Sequence, residues 1–207
     1  MNRGALLLAL VLVLCACPVK PPPGDVAMGQ YAVSATGGAP QLPDGGLGRP
    51  PECVDLTEVT GADFSFDAVL TRESTSDRAF ITLNGYPREG TFDGQVLTST
   101  AEANRVFEAC GKCSTRVVET ITVAVLSISQ DDVAGGTCPE NALDGGVGAF
   151  PPAGVFGPGQ TAQGYDAVRV CGELTTQVVA LGLVDGGGCE AQCSGCIVRY
   201  QLRGDRR

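Results

Sequence analysis

Thr115 to Ser129 is the longest β-rich run in the chain, fifteen residues dense in Val, Ile and Thr. Val117, Glu119, Ile121, Val123 and Val125 fall on one face of that run. Period two belongs to a strand with one buried face, and a helix cannot keep such a set together. The run is about three times a usual strand, so it is expected to bend, bulge or serve two sheets. Few architectures accommodate that.

Other segments repeat the pattern. Phe64, Phe66, Ala68 and Leu70 share a face, with Asp63, Ser65 and Asp67 on the other. Ala79 to Asn84 and Phe92 to Ser99 are further strand candidates, set off by turn signals at Asn84-Gly85 and Glu89-Gly90. Asp166 to Cys171, Leu174 to Val184 and Cys196 to Arg203 follow, the last with Val198, Tyr200 and Leu202 inward. One stretch competes for helix: Ser99-Thr100-Ala101-Glu102 has capping-box spacing and reads as a turn or two of helix, or as a loop. Seven or so strands and few helical patterns give an all-β class, an antiparallel β-sandwich or barrel.

The chain opens with a short basic stretch around Arg3 and an apolar run from Ala5 to Leu14. That is the form of a secretory leader, and it is too short for the about 20 residues of a membrane span. Leu14-Cys15-Ala16-Cys17 resembles the lipobox of bacterial lipoproteins. The resemblance implies cleavage after Ala16, a lipid on Cys17 and attachment to an envelope membrane, the outer membrane before the inner. Residues 18 to 52 hold eight Pro and seven Gly and read as a flexible tether following the lipidated Cys17. Residues 53–207 then form a single β-rich domain, with a long Gly/Pro-rich loop at 139–164. Phe150 and Phe156 are expected to pin that loop to the sheet.

Export decides how the cysteines read. Beyond Cys15 and Cys17 there are eight: Cys53, Cys110, Cys113, Cys138, Cys171, Cys189, Cys193 and Cys196. An even set in an exported chain indicates a disulfide framework, and the spacing does not choose the pairing. Cys110-Gly111-Lys112-Cys113 has thioredoxin-type spacing without the βαβ context that redox chemistry needs. Cys189, Cys193 and Cys196 match the spacing of cluster-binding radical enzymes, but only eleven residues follow, far short of the barrel those enzymes need. Cys110, Cys113, Cys193 and Cys196 suit a four-thiolate zinc site, which an oxidising compartment disfavours. No metal and no cofactor are expected.

Histidine and tryptophan are absent, which removes every His-dependent catalytic or zinc arrangement. The net charge is −9 and becomes −10 once Arg3 leaves with the leader, so nucleic acid is not an expected partner. Asp44-Gly45-Gly46, Asp144-Gly145-Gly146 and Asp185-Gly186-Gly187 read as turns. Their recurrence is similar to that in myxobacterial lipoproteins, a likeness that implies no activity. Asp63-x-Ser65-x-Asp67 opens like a calcium loop but lacks its Gly and final acid. Arg203-Gly204-Asp205 reads as a frayed tail. Glu119, set among apolar residues, is expected at an edge or paired with an Arg.

No catalytic residues emerge. The expectation is a non-catalytic binding or structural module on a tether, held to a membrane by its lipid, with an envelope protein or a glycan as partner. The alternatives are a small hydrolase using Asp and Glu carboxylates and, behind it, a thiol–disulfide oxidoreductase.

Overall fold

The computed structural model describes residues 22–38, 41, 63–107, 113–139, 142–144, 160–161, 164–165, 167–183 and 195–207. The strands are β1 (Val26–Gly37), β2 (Phe64–Arg72), β3 (Arg78–Leu83), β4 (Tyr86–Phe92), β5 (Val96–Phe107), β6 (Cys113–Ser127), β7 (Gln160–Thr161), β8 (Gly164–Tyr165), β9 (Ala167–Leu183) and β10 (Cys196–Arg206). A short helix, α1 (Ile128–Val133), follows β6, and a 3-10 turn covers Ala142–Asp144.

Eight strands close into an antiparallel barrel in the order β1-β10-β9-β6-β5-β4-β3-β2, so of the two expected architectures the chain adopts the barrel. Closure leaves no unpaired strand edge in the ring. β7 and β8 form a separate two-stranded hairpin. Alternation along each strand decides what fills the interior. Tyr31, Val33, Ala35, Ala68, Leu70, Ile81, Leu97, Ile121, Val123, Val125, Val198, Tyr200 and Leu202 make one buried cluster. The intervening residues turn outward, among them Arg78, Glu89, Glu102, Arg116, Arg199 and Arg203. A membrane-spanning barrel shows the reverse, an apolar band outside and polar residues within.

β6 pairs with β5 on one side and β9 on the other, its length absorbed by irregularities at Ser114/Thr115 and Leu126/Ser127. The two strands expected on either side of Gly172 are a single strand, β9. A Cβ on Gly172 would lie 1.9 Å from the Thr122 carbonyl oxygen, so only glycine permits this close approach of β9 to β6. Gly90 behaves alike, with a Cβ position 2.1 Å from the Thr98 carbonyl oxygen. Glu89-Gly90 is therefore not the turn expected from its composition but the middle of β4. The expected strand Phe92–Ser99 is instead interrupted at residues 93–95. There Asp93 accepts hydrogen bonds from the backbone N–H groups of Gln95 (2.9 Å) and Val96 (2.7 Å), which turns the chain.

The helix or loop expected at Ser99–Glu102 is strand, held in unbroken register with β6 from Val96↔Ala124 to Phe107↔Cys113. Residues 26–37, assigned to the tether by composition, are β1 and are bonded to β10 and β2. The Pro and Gly of that stretch flank residues 26–36, where Gly29 is the sole representative of either type. A bulge at Met28 lets both Met28 and Tyr31 point inward, and the Tyr31 hydroxyl donates to the Met28 carbonyl at 2.9 Å. Arg203-Gly204-Asp205 is no frayed tail either. It lies in β10, where Asp205 accepts from Arg169 Nε at 2.9 Å.

Outside the barrel, the segment that follows β6 packs on Ala124, Leu126 and Cys171 through Ala142, Cys138 and Leu143. A disulfide between Cys138 and Cys171 fastens it, with Cα atoms 5.5 Å apart. Asp131 of α1 also pairs with Arg169, whose side chain is only 12% exposed. Of the 139–164 loop, Phe150 and Phe156 lie outside the described residues.

Candidate functional site

The two ends of the barrel differ. The end bearing the starts of β1, β3, β5 and β9 is filled by Met28, Leu70, Phe92, Leu97 and Val125, all buried. At the opposite end, where β2, β4, β6 and β10 begin, Phe64, Phe66, Leu83 and Leu174 are only partly buried. A cavity of about 500 Å³ opens between them. That volume lies within the range of roughly 300–1,000 Å³ seen in small-molecule sites.

Each wall follows from alternation. β2 contributes Phe64 and Phe66, with ring centroids 5.9 Å apart, and β10 contributes Tyr200, edge-on to Phe64 at 5.0 Å. Ile121 from β6 and Leu174 from β9 close the apolar side. The Asn84-Gly85 turn joins β3 to β4, with φ of 48° and 87° at its two residues, as a tight two-residue hairpin demands. It carries Tyr86 to the lip, where that side chain is 78% exposed.

Two charges stand in this largely apolar mouth, whose lining also includes Ser65, Asn84 and Thr176. Arg88 on β4 and Glu119 on β6 meet with Nη2 and Oε2 2.8 Å apart. Between their strands runs β5, which places small Ala101 opposite Glu119 and so leaves room for the two long side chains to join. The pair is about one-third exposed, at 31% and 36%. Its stabilising value is accordingly modest, on the order of 0–1 kcal/mol. Beyond it, Val117, Val178 and Cys196 continue the apolar wall. The arrangement can hold an apolar body and satisfy donors and acceptors at one place.

Of the two sequence expectations for Glu119, the structure realises the pairing with an Arg. Arg88 was not legible as its partner, because Pro87 and Glu89-Gly90 obscured the inward series Tyr86, Arg88, Gly90, Phe92. Asp63 and Asp67 serve the fold: Asp63 accepts from the Gly37 N–H at 3.3 Å, and Asp67 pairs with Arg207 at 2.6 Å. Cys138 and Cys171 are joined as above, and Cys196 is disulfide-bonded as well. Cys113 begins β6. Cys17, Cys53, Cys110, Cys189 and Cys193 lie outside the described residues. Among the described residues, no group of three or more Cys, Asp or Glu gathers as a metal site would require.

Comparison with models of known protein families, with curated proteins and with solved structures finds no match for this chain.

Proposed function

We propose that the chain is a cell-envelope lipoprotein, lipidated on Cys17, that displays a non-catalytic binding barrel and takes its ligand in the open mouth. The observation that carries this reading is the Arg88–Glu119 pair, accessible inside a cavity whose wall is mainly apolar, with Ser65, Asn84 and Thr176 as its uncharged polar members. A barrel serving only as a spacer gains little from two partly desolvated charges there. Hydrolysis by paired carboxylates is the weaker reading. It needs a second acid roughly 5–9 Å from the first, whereas among the described residues Glu119 is the one carboxylate lining the cavity, and it already faces a cation.

The position of β1 also bears on display. Five residues separate Cys17 from Pro23, whose carbonyl accepts from Thr71, so the free connection spans at most about 22 Å when fully extended. Val26 lies at the filled end of the barrel, so a lipid on Cys17 tethers the barrel by that end.

Two measurements test the reading together. Cys17→Ser is expected to move the protein from the membrane to the soluble fraction. Addition of a small-molecule extract of the envelope should shift the NMR resonances of Tyr86, Arg88, Glu119 and Thr176. A Cys17→Ser chain that stays in the membrane removes the anchor, and shifts confined to other surfaces remove the mouth as the site.

A further inference from the structure

Among the described residues the mouth contains charge but no net charge, and that narrows its ligand. Arg88 and Glu119 neutralise each other, and neither makes another ion pair among the described residues. The guanidinium has five N–H donors and the carboxylate about four acceptor positions, so one mutual contact leaves both with capacity to spare. A ligand bearing a free carboxylate gains from Arg88 and is repelled by Glu119 a few ångströms away. A ligand bearing an ammonium meets the opposite problem. In either case a new charge must also lose water against Phe64, Phe66, Leu83 and Leu174, with no free counter-ion among the described residues of the mouth.

A neutral group with adjacent acceptor and donor meets none of this opposition. Its carbonyl can accept from Arg88 while its N–H donates to Glu119, and the pair stays intact. Hydrogen bonds to charged partners are the stronger kind, so such a group is recognised by both of its atoms. We propose, resting on the mouth being the ligand site, that this barrel binds uncharged amides carried on an apolar ring or branched body. The free acid and the free amine of the same shape are discriminated against. The apolar body packs against the aromatic wall of Phe64 and Phe66, with Tyr86 at the lip able to cover it.

Three probes of nearly equal shape separate the cases: 3-phenylpropanamide, 3-phenylpropanoic acid and 3-phenylpropylamine. Binding of each to the purified mature chain is measured by protein-detected NMR, with benzyl alcohol as a neutral apolar reference. The expected result is that the amide binds at least about tenfold more tightly than the acid or the amine, with shifts at Arg88, Glu119 and Tyr86. Glu119→Gln leaves Arg88 without its counter-charge, and the acid should then overtake the amide; Arg88→Met should reverse the preference toward the amine. A thermal melt of each variant verifies that it is folded. Acid or amine binding as tightly as the amide to the unaltered chain overturns the ligand class and leaves the site standing. Absence of mouth shifts with all four compounds overturns the site as well.

Discussion

The filled end and the open end of this barrel are built by the same strands with the same alternation, yet they are different materials. At the filled end Met28, Tyr31, Leu70 and Leu97 are fully buried, and the Cys138–Cys171 disulfide fastens a further layer to the outside of β9. Burial raises the Tyr31 phenol's pKa well above its ordinary value, so that end contains a neutral tyrosine, its hydroxyl spent on the Met28 carbonyl. At the open end Phe64 and Phe66 are only partly buried and a salt bridge stands beside them. Among the described residues, the large side chains are packed to completion at one end, while the other leaves a cavity open between them.

That contrast can be broken by mutation. The largest effect is expected from Leu70→Ala or Leu97→Ala, each costing about 2–5 kcal/mol in urea denaturation because a closely packed interior cannot collapse around the lost atoms. Leu83→Ala at the mouth should cost about 1–2 kcal/mol, in proportion to the smaller area it buries. Equal losses at the two ends would end the distinction. Next in size is replacing both Cys138 and Cys171 with Ser, which frees a loop with a sequence separation of 33 residues. The expected loss is about 2–4 kcal/mol, with new amide exchange in α1 and at Ala124 and Leu126. Retained protection there would show that packing and the Asp131–Arg169 contact suffice. The smallest change is expected from Glu119→Gln, about 1 kcal/mol or less in the same denaturation assay. A large destabilisation would make the Arg88–Glu119 pair part of the frame and deprive the mouth of its separate character.

Much of the frame was legible in advance. β2, β6 and the inward set of β10 follow directly from period two, and Asn84-Gly85 forms the turn its residues require. The failures have local causes. Ser99-x-x-Glu102 and Ser127-x-x-Gln130 have equivalent spacing, and only the second caps a helix. Gln130 accepts from the Ser127 N–H at 2.8 Å, while Ser127 Oγ accepts from the Gln130 N–H at 3.4 Å. At Ser99 a ladder of strand pairs on β6 outweighs a cap worth about 1 kcal/mol. β1 was concealed by averaging, since the Pro and Gly on either side of it dominate the composition of its surroundings.

The site divides in the same way. Glu119 drew notice as a carboxylate on an apolar face, while Arg88 and the half-open ring of Phe64, Phe66 and Leu83 did not. A period of two states which side of a strand a residue occupies, and says nothing about its height in the barrel. That height comes from the register between strands, set here by the Met28 bulge, the close approaches at Gly90 and Gly172, and the Asp93 turn. So the sequence by itself determined an antiparallel β domain and its inward faces, because alternation is a local property of the chain. Only the tertiary structure decided that the sheet closes, that β1 completes it, and that an arginine on β4 meets a glutamate on β6 across an intervening strand. Those depend on registers accumulated around the whole ring, and no single segment contains them.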